Sequence, residues 1–365
     1  MAEQSRAGRN GPAGRAERAE RALVRACYRG LDGSALPAAL LSSLRAVMPV
    51  DAAFVATADS ETLLFTGAYA EDPLDSATAA FLDNEFGGRD FNRFATLAIS
   101  RGHVAWLDEA TRNDRFASAR YRDIMRPLGL GDELRAALVV DGRCWGYLCL
   151  HRQDGRLGFT RQEAAIVARL GPHLAAAMRQ ALLQRASTTA NPAAPGVVLL
   201  ADDLTVIAVT EQAEYLLSLV DHPSPPQLPL PVAVYTVATA LAALERGTLH
   251  PAAQPGTRIP TRAGPWLSLH ASRLRAQSGE RPIAVVVERA QPEATMPVLL
   301  SAHGLTVRES DVARLVLRGL STTAIADTLH ISTNTVQDHL KAVFDKTGVH
   351  SRRDLVGRFL ATTEP

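Results

Sequence analysis

The chain alternates between two hydrophobic periods. Apolar residues recur at three- and four-residue steps over 16–29, 36–47, 76–86 and 93–99, the spacing of a helix with one buried face. Stretches 52–58, 62–69, 133–140 and 143–150 instead carry the short apolar runs of strands. The last two meet at Asp141-Gly142, a pair that adopts the left-handed backbone of a tight hairpin turn. Thr160 and Glu163 stand three apart before a long amphipathic stretch, a capping box that predicts a helix to about residue 185. Helices mixed with antiparallel strands predict an α+β domain over 16–186, behind a polar, glycine-rich tail at 1–15.

Residues 187–196 (STTANPAAPG) have the composition of a linker. A smaller α+β pattern occupies 197–290: strands at 196–200 and 205–209 around Asp202-Asp203, a helix at 211–219, and paired strands at 266–274 and 282–289. Five prolines between 222 and 231 stop regular structure there. Residues 291–298 are expected to be a second hinge, leaving 299–365 as an all-α unit of four short helices.

In that last unit Thr306 and Glu309 form a capping box for a helix running to Arg318, with Gly319 at its end. Ser321 opens a second helix over 322–329, and a turn at 330–332 leads to a third over 333–347, closed by Gly348. Ser351 opens a fourth, ending near Leu360. On the third helix Val336, Leu340, Val343 and Phe344 share one face and must pack inward; Asn334, Gln337, Asp338, Lys341 and Asp345 form the other. Asn334 and Gln337 can bind adenine edges through two hydrogen bonds each, and Lys341 can reach a guanine edge or a phosphate. Thr333 and Thr335, at the positive end of the helix, suit phosphate oxygens. A merely solvated face would carry the same residue types, so the stripe alone leaves both readings open. Lys341 and Lys346 are the only lysines in the chain, and both lie on this helix.

Charge refines the picture. The whole chain is nearly balanced, 39 basic against 38 acidic residues, so any affinity for nucleic acid must be local. Over 305–360 eight basic residues face six acids, a net of +2, which implies modest affinity for one isolated domain and a need for dimerisation. An apolar content of 47% is that of a globular protein. Three cysteines with no CxxC argue against a disulfide scaffold, and strand alternation puts Cys144 and Cys149 on opposite faces. Residues 1–22 lack the apolar core of a secretory leader, and no 18-residue uncharged apolar run occurs, so the expected location is the cytoplasm, away from membranes.

The C-terminal segment resembles the LuxR-type helix-turn-helix. The matching residues are Leu305-Thr306-x-Arg308-Glu309, Gly319-Leu320-Ser321, Ile325-Ala326, Leu329, Ile331-Ser332, Thr335-Val336, His339-Leu340 and Gly348-Val349-x-Ser351-Arg352. The resemblance implies that 333–347 enters the major groove of duplex DNA and that dimers occupy paired half-sites. It also implies DNA contacts by Gln337, Asp338 and Lys341; the first of these positions is often basic in the family and is neutral here. With Thr333, Asn334, Thr335, Lys346 and Arg352 these complete the candidate DNA-binding set. The domain at 16–186 resembles a GAF domain, on the 133–150 hairpin, Gly158-Phe159-Thr160 and the long closing helix. That likeness implies a module for a small molecule or protein effector. Residues 197–290 are similar to a PAS domain, on the strand pair around Asp202-Asp203 and the terminal strands.

Enzyme chemistry finds no support. Gly-Lys is absent, which removes a P-loop, as are HExxH, GxSxG and EF-hand loops. No metal and no cofactor are expected. His103, His151 and His173 are read as solvated or capped, and Trp106, Trp145 and Tyr147 as core packing. The reading is a multidomain, dimeric, DNA-binding transcription regulator, with RNA polymerase a candidate further partner. A sigma-factor-like promoter-recognition subunit is the alternative.

Overall fold

A computed structural model describes residues 12–28, 36–185, 194–220, 225, 227–249, 254–262, 265–275 and 281–360. Most of the expected tail (1–11) and linker (187–193) lies outside these residues. Residues 12–15, expected in the tail, belong to α1 (Pro12–Cys27). Proline fits a first helical turn, where its missing N–H has no partner to lose.

The first unit adds α2 (Leu36–Arg45), β1 (Ala52–Ala58), β2 (Phe65–Ala70), α3 (Thr78–Gly87), α4 (Phe94–Ile99), β3 (Val104–Trp106), α5 (Leu107–Ala110), β4 (Leu130–Val140), β5 (Arg143–Gln153) and α6 (Arg161–Arg185). Its antiparallel sheet has the order β2-β1-β5-β4-β3. Strand β2 starts at 65 rather than 62, because Asp59 accepts the N–H groups of Glu61 and Thr62 and Leu63 turns left-handed. On one face Val55, Leu134 and Leu148 meet Leu23, Leu40, Leu44 and Leu174 of α1, α2 and α6. On the other, Ala56, Phe65 and Tyr147 meet Leu82, Phe86, Phe94 and Leu97 of α3 and α4. The hairpin turn is as expected, with Asp141 and Gly142 at φ 52° and 72°.

The hairpin does not keep the expected strict alternation. Val139 pairs with Cys144 but Leu138 pairs with Gly146, so Trp145 is an extra residue, a β-bulge. The bulge reverses the alternation, and Cys144 and Cys149 join the same core instead of opposite ones. Neither forms a disulfide.

The second unit holds β6 (Gly196–Leu200), β7 (Val206–Val209), α7 (Glu211–Ser218), α8 (Val232–Glu245), β8 (Gly256–Ile259), β9 (Leu267–Arg273) and β10 (Ile283–Arg289). Its antiparallel order, β7-β6-β10-β9-β8, repeats that of the first sheet. Sequence spacing missed α8 and β8. Helix α8 is buried on nearly every side, from Val232 through Leu241, so it has no polar face to mark a period. It lies between α3 and the second sheet, and the two units share one apolar core through it.

Residues 291–298, expected as a hinge, are instead the start of α9 (Pro292–Ala302). Pro292 occupies the first turn, where proline is tolerated, and the helix is held by burial on two sides. Met296 and Leu300 enter the C-terminal core, while Val298 and Ala302 enter that of the first unit. Then follow α10 (Val307–Leu317), α11 (Thr322–Leu329), α12 (Thr333–Thr347) and α13 (Arg352–Leu360).

Candidate nucleic-acid interface and sensor cavity

Local chemistry sets each helix of the C-terminal bundle. Thr306 accepts the Glu309 N–H while the Glu309 carboxylate accepts that of Thr306, a complete capping box on α10. Ser321 accepts from Ala324 at the start of α11, and Ser332 from Thr335 at the start of α12. Left-handed His330 and Gly348 end α11 and α12. Val336, Leu340 and Val343 bury against Val312, Val316 and Ile325, with Phe344 at the rim. That packing turns Asn334, Gln337, Asp338 and Lys341 to solvent, all exposed, and Thr333 with them. No element of the first two units covers these side chains among the described residues.

Three other candidates have intramolecular tasks. The Thr335 hydroxyl shares a 2.8 Å hydrogen bond with the Ser332 hydroxyl within the cap. Arg352 donates to the Leu320 carbonyl at 2.9 Å and the Thr322 hydroxyl at 2.8 Å, tying α13 to the start of α11. Lys346 Nζ lies 2.7 Å from Glu309 Oε2, joining α12 to the cap of α10. Burial pushes the Glu309 carboxyl up, but Lys346 and the Thr306 N–H outweigh it and hold the group below its ordinary value. His339 is half-buried, between the two faces.

A second site lies in the first unit, on the sheet face under α3 and α4. It is a cavity of about 40 Å³ whose apolar wall includes Phe54, Phe65, Phe81 and Phe94 and whose polar wall is Glu85, Glu133, Arg135, Cys149 and His151. Glu85 pairs with Arg135 at 2.8 Å, and Arg120 pairs with Glu133 in a fully buried contact. Arg135 also stacks over the Phe94 ring at 3.7 Å. Burial, the largest influence on His151, lowers its pKa to about 4, and the Glu133 charge opposes this only in part. Burial likewise pushes the Cys149 thiol well up, with the Glu133 carboxylate adding to it.

His151, expected as solvated or capped, is therefore a buried, neutral cavity residue, 1% exposed. It was missed because Glu133 and His151 lie far apart in sequence; they are cross-strand partners on β4 and β5. A clue was present in the hairpin: the tight turn fixes the register to within one residue, and the bulge supplies the remaining step. Trp106, Trp145 and Tyr147 do not line this cavity; Trp145 and Tyr147 pack in the two cores. Glu133, Cys149 and His151 bring one ligand atom each within 4.8 Å of one another. The set is poorly suited to a resident dication: Glu133 is committed to Arg120, Arg135 stands beside it, and the thiol keeps its proton.

Two stretches of the chain match known families. Residues 303–359 match the luxR family of bacterial regulatory proteins, and residues 35–178 match the GAF domain. Over 87 residues the chain is 39% identical to a protein of Aeromonas salmonicida named as an HTH-type transcriptional regulator, covering 24% of this chain and 43% of that one. The chain thus spans less than half the length of that relative. Among solved structures, the LBD domain of VqsR from Pseudomonas aeruginosa is 19% identical, covering 46% of this chain and 96% of its own, with a TM-score of 0.30. SdiA of Escherichia coli is 12% identical, covering 94% and 96%, with a TM-score of 0.32. At such scores neither structure bears further on this chain. No helix among the described residues is long and apolar enough to cross a membrane.

Proposed function

Because a LuxR-family helix-turn-helix domain at 303–359 stands behind a GAF domain at 35–178, we propose that the chain is a DNA-binding transcription regulator modulated by an effector at its N-terminal units. The observation that carries this is the exposed face of α12, where Asn334, Gln337, Asp338 and Lys341 stand clear of the core. Gln337 and Asn334 read base edges, Asp338 favours a cytosine amino group, and Lys341 and Thr333 hold guanine or phosphate. Lys346, Arg352 and Thr335 support the interface from behind, by fixing α12 and α13. A net of +2 over 305–360 leaves a single domain weakly attracted to DNA, so a homodimer on paired half-sites supplies the rest. The protein works in the cytoplasm, not as an enzyme, and RNA polymerase is its downstream partner. The middle unit is PAS-like, a reading supported by its strand order. A sigma-factor-like role would need a further helical region for polymerase, where residues 35–178 are instead a GAF domain.

The test is binding of the full chain to a genomic promoter library across a salt series. Lys341→Ala is expected to weaken binding of all sequences and lower the salt slope by about one. Gln337→Ala is expected to relax preference at one position per half-site, by about 1–3 kcal/mol. Unchanged affinity and unchanged preference in both variants would remove the assignment of the reading face.

A further inference from the structure

The second sheet has one covered face and one bare face. Val198, Leu200, Val285 and Val287 point into the core built with α7 and α8. Side chains alternate along a strand, so their neighbours point the other way. Val197 and Leu199 of β6, Ala208 of β7, Ala284 and Val286 of β10, and Leu274 just past β9 lie in register across the bare face. Val197, Leu199 and Val286 are half-buried, and Ala208 and Leu274 are exposed. None of the six joins a hydrophobic cluster among the described residues. Ser268, His270 and Ser272 of β9 give the stripe a polar margin, the layout of an interface centre and its rim. Its charges lie at the ends. Glu288 is exposed at one end, while Arg275 and Arg281 follow Leu274 and Pro282 at the other, both exposed. Asp202 and Asp203, also at that second end, are held by Arg273 and by the Thr205 N–H.

We propose that two copies of the chain meet on this bare face, sheet against sheet, about a two-fold axis through the stripe. The inference rests on the reading of the regulator as a dimer on paired half-sites, and it names the surface that joins the copies. The centre of the stripe is uncharged, so a second copy meets no like charge there. A two-fold axis brings opposite ends together, which sets Glu288 of each copy against Arg275 and Arg281 of the other. Strand β10 runs through α9 into the DNA-reading bundle, so sheets joined here carry both bundles on short connections. Four strand widths of about 4.8 Å by three two-residue steps of about 6.8 Å make a patch of roughly 400 Å². Two copies bury about 800 Å², less than the roughly 1,200 Å² of a stable specific interface. The contact is therefore a weak one, which paired half-sites strengthen by holding both copies.

The full chain is followed by analytical ultracentrifugation, alone and with a promoter fragment recovered from the library. A reversible monomer–dimer equilibrium is expected without DNA, and two copies on the fragment. Leu199→Glu sets like charges against each other at the centre of the stripe and is expected to weaken the dimer at least about tenfold. Glu288→Arg, at an exposed position, turns an attraction to Arg275 and Arg281 into a repulsion and is expected to weaken it about threefold. Thermal unfolding shows that each variant is folded, and should Leu199→Glu not fold, Glu288→Arg decides alone. The proposal requires a loss in every folded variant. A dimer that a folded variant leaves intact, or a chain that stays monomeric with and without DNA, would overturn it. The failures are separable: an intact dimer on DNA removes this surface alone, a monomer on DNA removes the paired-site reading as well, and a chain that binds no promoter removes the regulator itself.

Discussion

His151 gives the most direct readout at the scale of one residue. In the unfolded chain it protonates below about 6.5, whereas in the folded chain it stays neutral until about 4. Between those values the unfolded state binds a proton that the folded state refuses, so stability falls as pH drops through that window. Glu133 favours the charged ring, but Arg135, Arg120 and above all burial oppose it. Asp132 acts the other way, because burial raises its pKa to about 6 and its protonation favours the fold as pH drops below that. The two contributions overlap, so the check is differential: urea unfolding of wild type and His151→Phe from pH 7 to 4.5, with wild type expected to lose more stability on acidification. Lys346 offers a second residue-scale test. It is 37% exposed and its bond to Glu309 is a partly solvated pair, so Lys346→Ala is expected to cost about 0.5 kcal/mol or less in thermal unfolding. Its effect on DNA affinity is expected to be smaller than that of Lys341→Ala, measured on the same promoter fragment.

Elements were legible where their ends are written in side chains. The caps at Thr306, Ser321, Ser332 and Ser351, with Gly348 at a stop, gave the bounds of α11 and α12 to the residue and those of α10 and α13 closely. The same holds for the Thr160 cap of α6 and the Asp141-Gly142 turn. Elements that depend on burial were not legible: α8 shows no period because it has no wet side, and α9 resembles a linker because its two prolines draw the eye. The candidate site divides the same way. The face of α12 follows from one helical period, but the sensor cavity needs Glu85, Glu133 and His151 brought together from separate elements. Helix α9 is also where packing can be tested: Leu300 is fully buried, and Leu300→Ala is expected to cost about 2–4 kcal/mol by chemical denaturation, loosening the bundle from the sensor.

At the scale of the whole molecule, one side chain holds three parts together. Arg258, on β8, grips the buried carboxylate of Asp59 in the first unit at 2.8 and 3.1 Å, and donates to the Ala294 carbonyl on α9 at 2.9 Å. Asp59 is fully shielded from water, so removing the guanidinium strands a charge. Arg258→Ala is expected to cost on the order of 3 kcal/mol, and limited proteolysis is expected to cut first near α9. If stability and cleavage pattern are unchanged, the three parts do not act as one body.

The two buried stripes of α9 make it a rod seated at both ends of its circumference. Met296 and Leu300 sit in one socket, Val298 and Ala302 in the other, about half a turn apart. A tilt of α6 would be felt first by Val298 and Ala302, and through them by the C-terminal bundle. Whatever shifts the core of the first unit would then reach the C-terminal bundle through a single axle.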